Sequence, residues 1–227
     1  MGTMERFRDQ GEAMCVAAEY LLHAEKREEG YLYFQRARAV GAAHGFFSVE
    51  CTACCGLGQV EILGGRHEEG VELLRNALVA SSLRENEDDA MELEVLLHLT
   101  DALFHTHAID EVEPLVLRYR EAAKAESQRD GGNFCWELGS IYASARLHEA
   151  RGKPQEAESE VRALLDILRE TGAAVQDNLS YLQHLLQQAS KHLKILDPEL
   201  GEEELVTSVA AELAKVTAFM AENSQRQ

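Results

Sequence analysis

Apolar residues recur every three to four positions along most of the chain, and short polar stretches separate the segments that show this period. Such a period places the apolar side chains on one face of an α-helix. The pattern therefore predicts successive helices that pack against each other in antiparallel pairs. These helices are expected at about residues 11–24, 28–43, within the stretch 54–77, 88–105, from Ile109 onward, 133–151, 154–171, 178–196 and 202–221.

The stretch Cys54 to Ala77 shows one such pair in most detail. Gly64 and Gly65 suit the φ > 0 conformations that end a helix, and an acidic Glu68-Glu69 pair follows where a second helix begins. Large and small residues alternate where the two helices should touch, so that the backbones can approach closely. The contact residues are Leu57, Gly58, Ile62, Gly70, Leu74 and Ala77.

This pattern repeats along the chain. The positions equivalent to Gly70 are Gly30, Val112 and Ala157, with separations of 40, 42 and 45 residues. The large-small-small-large-small order resembles the tetratricopeptide repeat (TPR), although its standard period is 34 residues. It is most similar to the long-repeat members found in kinesin light chains, G-protein-signalling adaptors and bacterial signal-sensing regulators. The resemblance implies an all-α fold, a right-handed superhelical array of antiparallel helix pairs (a TPR-like solenoid).

The domain organisation expected from this resemblance is one continuous unit. Residues 1–10 are predicted to form a flexible lead, and residues 11–172 to form four TPR-like helix pairs. Residues 173–222 are predicted to form a capping pair that covers the last open face of the solenoid, and residues 223–227 a flexible tail.

Charge narrows the choice of partner. The 40 acidic and 22 basic residues give a formal net charge of −18. A surface of this sign repels phosphate, so nucleic acid and anionic membranes are poor partners, whereas a basic protein segment is a suitable one. The sequence contains no apolar run of about 20 residues and no signal-peptide core, so a cytoplasmic location is expected.

The sequence gives no catalytic signature. Cys51, Cys54 and Cys55 form an i, i+3, i+4 stripe that suits packing better than a zinc site, because a second cysteine pair is missing. His105 and His107 point in different directions on a helix. The sequence contains neither a phosphate-binding loop nor an HExxH motif. We therefore expect no enzyme, no cofactor, no catalytic residues and no metal ligands, with the five cysteines reduced and buried.

The resemblance also implies a binding face, because the first helix of each TPR pair lines the concave groove. It implies a module that binds a peptide or an amphipathic helix, but not a chaperone tail, since Glu19 would repel a C-terminal carboxylate. A self-associating or structural subunit, and a small-molecule sensor or metal-binding protein, are the alternatives, and a homo-oligomer is compatible with the sequence. The expected groove residues are Cys55, Gln59, Leu63, Leu97, Asp101, His105, Tyr142, Arg146 and Glu149.

Overall fold

The computed structural model describes residues 2–83, 89–129 and 135–171, and also residues 185, 187–189, 191, 192, 195 and 196. These described residues lie in helices or in the connections between them, and they contain no β-strand. The predicted all-α fold is confirmed. The helices are α1 (Thr3–His23), α2 (Arg27–His44), α3 (Phe47–Leu63), α4 (His67–Ser82), α5 (Asp89–His105), α6 (Ile109–Ser127), α7 (Cys135–Ala150) and α8 (Pro154–Thr171).

Helix α1 begins at Thr3, earlier than the predicted start at Gly11. Two interactions involve residues at this end of the helix, one within its first turn and one with α2. The backbone N–H of Gly2 donates to the carboxylate of Glu5 at 2.8 Å, which satisfies one of the unpaired donors of the first turn. The ring of Phe7 stacks on His44 of α2 with 4.5 Å between ring centroids.

The chain divides into two compact units, Met1–Leu115 and Val116–Gln227. In the first unit, α1 packs on α2 and α3 packs on α4, while α2 packs on α3 and α4 on α5. Helix α3 also contacts α1 and α5, so the first helices of successive pairs form one layer. The core between α1, α2 and α3 is apolar and consists of Cys15, Ala18, Phe34, Ala37, Phe46, Val49, Ala53 and Leu57.

The predicted contact between α3 and α4 is confirmed. A Cβ placed on Gly58 would lie 2.7 Å from the Cγ of Leu74 and 3.0 Å from the carbonyl oxygen of Gly70. A Cβ on Gly70 would in turn lie 2.6 Å from Cγ1 of Ile62. The separations of 2.7 and 2.6 Å are shorter than real Cβ contacts, so the two glycines are what allow these helices to pack at this distance.

The second unit has its own core, built mainly by α7 and α8, which pack on each other. Its residues are Cys135, Leu138, Ile141, Ala145, Val161, Leu164, Leu165, Leu185 and Ala189. Arg120 of α6 contacts both α7 and α8 through its side chain. Its guanidinium donates to the Glu160 carboxylate of α8 at 2.5 Å and to the Ser144 hydroxyl of α7 at 2.9 Å.

The same turn joins the two helices of each of the four pairs that the structure describes. One residue of each turn has a positive φ: Glu25 (60°), Gly65 (79°), His107 (56°) and Gly152 (70°). The backbone N–H of the next residue then donates to the carbonyl oxygen five positions earlier, which is the hydrogen bond of a Schellman motif. These turn residues are 40, 42 and 45 positions apart, so the period seen in the sequence is also the period of the backbone.

Most of the predicted capping pair, residues 173–222, and the tail at 223–227 lie outside the described residues. Within that region, residue 185 and the other described positions up to 196 are helical. Among the helices that the structure describes, none is long and apolar enough to cross a membrane.

Candidate functional site

The layer formed by α1, α3 and α5 places polar side chains from three helix pairs close together. Glu19 of α1 is near enough to Glu94 of α5 for the two carboxylates to repel each other. Cys55 of α3 lies between these helices, and its thiol is close to the Glu94 carboxylate. We call the surface that carries Glu19, Gln59, Glu94 and His98 the first-helix face of the first unit.

The sequence-predicted residues of α3 lie at different depths on this face. Cys55 is buried, with 3% of its surface exposed, and Gln59 is half-buried. The Gln59 side-chain amide donates to the Sγ of Cys55 at 3.5 Å. Leu63, at the end of the helix, is 61% exposed. Cys55 therefore lies beneath the surface that Gln59 and Leu63 present.

The predicted residues of α5 lie along one side of that helix. Leu97 and Asp101 are half-buried and His105 is exposed. The Nε2 of His105 is 3.7 Å from an Asp101 carboxylate oxygen, one helical turn away. The His105 ring also stacks on His67 of α4 at 5.7 Å between centroids. The end of α5 is thus held against α4 by a ring contact.

The remaining predicted residues, Tyr142, Arg146 and Glu149, lie on α7 of the second unit. Tyr142 is half-buried, packs against the core of that unit and meets the ring of His192 edge-on at 5.8 Å. The Glu149 carboxylate lies 2.7 Å from Nε2 of the same histidine. Arg146 is half-buried, one helical turn after Tyr142. His192 therefore links two of the three predicted residues.

Glu94 and His98 belong to the first-helix face but were not among the sequence-predicted residues. They are four positions apart on α5, which puts both side chains on the same side of the helix. This i, i+4 spacing was the one feature of the sequence that could have indicated that Glu94 and His98 act together. The sequence alone does not indicate that this side of α5 faces Cys55, because the contact joins two different repeats.

The surrounding protein changes the proton affinities on this face. Glu94 is exposed, yet its pKa is raised, first because nearby protein restricts hydration of the carboxylate and then because of Glu19. Limited hydration also raises the pKa of Glu19, against a smaller opposing effect of His23. The same cause lowers the pKa of His98 to about 4, although Asp101 acts in the other direction. His98 is consequently neutral at physiological pH, with a lone pair available on one ring nitrogen.

All five cysteines are free and buried, as predicted. Burial raises the pKa of Cys15 to about 12 and raises that of Cys54. Burial, followed by the charge of Glu94, raises the pKa of Cys55 well above its usual value. These thiols are protonated near neutral pH, which makes them poor nucleophiles in the free protein.

Among the residues that the structure describes, three side chains of types that can ligate a metal lie close together. The Sγ of Cys55, a carboxylate oxygen of Glu94 and a ring nitrogen of His98 all lie within 4.8 Å of one another. They come from two helices that pack directly against each other. These three residues are the ones in the described part of the chain that could hold a metal ion.

Comparisons with known proteins identify the fold. No protein-family model matches the sequence, and no curated protein matches it. Solved structures do match: one contains nearly identical TPR-like repeats attributed to a Podosopora anserina kinesin light chain, with a TM-score of 0.59 and 20% identity. The match covers 95% of this chain and 98% of that one. A variant of those repeats matches with a TM-score of 0.62 and 18% identity, over 96% and 99% of the two chains. The chain has the TPR-like fold.

The TPR-like fold explains why the described polar residues gather as they do. In the first unit α1, α3 and α5 form one layer, so residues about one repeat apart in sequence become neighbours on a single face. In the first unit this brings Glu19, Cys55 and Glu94 together. Repeats of this kind build extended surfaces from several elements.

Proposed function

We propose that this TPR-like chain is a non-enzymatic interaction module that binds a basic peptide or a basic amphipathic helix along the first-helix face. The observation that carries the proposal is the pair of exposed carboxylates, Glu19 and Glu94, on neighbouring first helices, where the charge of Glu19 helps to raise the pKa of Glu94. A lysine or arginine side chain placed between them would remove the repulsion and supply charge-assisted hydrogen bonds. The net charge of −18 would also attract such a partner from a distance.

Apolar contacts support the same kind of partner. Leu63 is largely exposed and Leu97 is half-buried, next to the polar groups Gln59 and Asp101. An amphipathic helix or an extended peptide presents apolar and charged side chains together, which suits a surface of this composition. The proposal includes a cytoplasmic location, because free buried thiols such as these persist in a reducing compartment.

The binding experiment compares wild type with the double variant Glu19→Gln/Glu94→Gln. Affinities for fluorescent peptides of matched length and of basic, neutral or acidic composition are measured by anisotropy, with EDTA present throughout. We expect preference for basic peptides, and at least a tenfold loss of affinity in the double variant, which corresponds to about 1.4 kcal/mol. Rising salt should weaken wild-type binding, because it screens the charges.

The matched control is Glu12→Gln, which removes an exposed carboxylate from the same helix α1. It removes one negative charge without changing the carboxylate pair, and it should keep wild-type affinity within about twofold, since a single exposed surface charge contributes little. If the double variant and the control bind alike, the carboxylate pair is not the recognition element and the proposal fails.

A second prediction concerns Tyr142 and Arg146 of the second unit, which we propose as further partner contacts. Tyrosine and arginine are enriched among residues that dominate binding energy, so truncating either should cost about 2 kcal/mol of affinity. Tyr142→Ala and Arg146→Ala are compared with wild type for partner binding and for melting temperature. Tyr142 also packs against the core, so a lower melting temperature without loss of affinity would assign it a purely structural role.

Self-association is the second candidate function, and one observation favours it. Val16 and Tyr20 lie one turn apart on α1 with 50% and 73% of their surfaces exposed. Exposed apolar groups on one side of a helix can pair with a second copy of the chain. Sedimentation velocity across a concentration series distinguishes this candidate, because self-association raises the apparent mass with concentration and peptide binding by a monomer does not.

A further inference from the structure

We propose that Cys55, Glu94 and His98 form a binding site for a divalent transition metal, with Zn²⁺ the ion that best suits these ligands. The inference does not depend on the peptide-binding proposal. A thiol sulfur, an imidazole nitrogen and a carboxylate oxygen are the three donor types that Zn²⁺ takes in proteins. Thiolate and imidazole ligands together favour zinc over the hard cations calcium and magnesium.

The geometry is close to that of a bound ion. Tetrahedral zinc with ligand bonds of about 2.0–2.3 Å separates its ligand atoms by about 3.3–3.5 Å. The three donor atoms here already lie within 4.8 Å of one another. The remaining contraction is therefore at most about 1.5 Å for any pair of donor atoms, and rotation of the exposed Glu94 side chain can supply part of it.

The helices and one hydrogen bond fix the positions of the three proposed ligands. Glu94 and His98 are one helical turn apart on α5, and Cys55 is fixed on α3, which packs against α5. The side-chain amide of Gln59 donates a hydrogen bond to the Cys55 sulfur. At metal centres, residues outside the ligand set orient the ligands by hydrogen bonds of this kind. Glu19 adds negative charge next to Glu94, which a cation would compensate.

Metal binding at this site would release one proton. The Cys55 thiol loses its proton to solvent as the S–metal bond forms, and Glu94 and neutral His98 each donate a lone pair. Three protein ligands leave one tetrahedral position, which water fills or a partner side chain can take. The other cysteines of the α3 stripe, Cys51 and Cys54, are not part of this group.

The test uses the purified full-length chain, freed of metal with a chelator that is then removed. Zn²⁺ is titrated in competition with a chromophoric chelator, and Co²⁺ is used as a spectroscopic substitute. We expect one ion per chain and a thiolate-to-cobalt charge-transfer band in the near ultraviolet. Cys55→Ser should abolish that band, and Glu94→Gln and His98→Gln should each weaken Zn²⁺ binding at least tenfold.

Two controls match these changes. Cys54→Ser removes the neighbouring buried thiol, and His105→Gln removes an exposed histidine from the same helix α5. Both should bind Zn²⁺ as wild type does. The inference is overturned if wild type binds no stoichiometric ion, or if the controls lose as much affinity as the ligand variants. Circular dichroism checks folding, and Glu94→Gln keeps the test decisive because its exposed side chain is not needed for packing.

Discussion

Phe34→Ala should destabilise the first unit by about 3–5 kcal/mol, the largest single effect expected in the described part of the chain. Phe34 has only 1% of its surface exposed and lies in the core between α1, α2 and α3. Its ring sits directly over the backbone of Gly56, where a Cβ would lie 2.6 Å from the ring atom Cε1. The close-packed helices around it cannot collapse fully into the space that the ring leaves, so a cavity remains.

Chemical denaturation followed by circular dichroism measures this effect. The single tryptophan, Trp136, belongs to the second unit, so its fluorescence reports the other half of the chain separately. Leu32→Ala is the matched control, because Leu32 is on the same helix with 52% of its surface exposed. The control should cost less than about 1 kcal/mol. Equal losses for the two variants would contradict the assignment of Phe34 to the core.

Gly58→Leu should cost about 1–3 kcal/mol of stability, because the new side chain has no space between α3 and α4. The position of a Cβ at Gly58 is only 2.7 Å from the Leu74 side chain, and the backbone of Gly70 blocks the alternative direction at 3.0 Å. Leucine is a better helix former than glycine by about 1 kcal/mol, so part of the clash is offset. A net loss shows that close helix contact outweighs helix propensity at this position.

Substitutions of increasing size at Gly58, followed by chemical denaturation, measure how closely α3 and α4 pack. Gly58→Ala introduces only the Cβ and should destabilise less than Gly58→Leu. Gln59→Leu places the same side chain at the next, half-buried position, where it should have little effect on the denaturation midpoint. An unchanged midpoint for Gly58→Leu would mean that the register of α3 against α4 is different from the one described.

The contact at Gly58 is also where the sequence was most informative. The alternation of large and small residues identified the α3–α4 pair, and Leu57, Leu74 and Ala77 are all buried there. Such patterns arise because two helices joined by a short turn must fit each other, so both halves of the contact lie close in sequence. The helix pairs and their period could be predicted for this reason.

The surface chemistry was less predictable. The meeting of Cys55 with Glu94 and His98 depends on how one repeat packs on the next, and the sequence contains no short-range signal for that packing. The start of α1 was placed too late for a different reason. Its first residues are polar, and the contacts that order them, such as Phe7 on His44, reach a different helix.

A charge-reversal experiment tests the proposed binding face most directly. Wild type and Glu19→Lys/Glu94→Lys are each titrated with a basic peptide and with an acidic peptide of the same length and apolar content, in the presence of EDTA. If the carboxylate pair selects the partner, wild type binds the basic peptide more tightly and the double variant binds the acidic one more tightly. If both proteins show the same preference with the same affinities, recognition does not occur at the first-helix face.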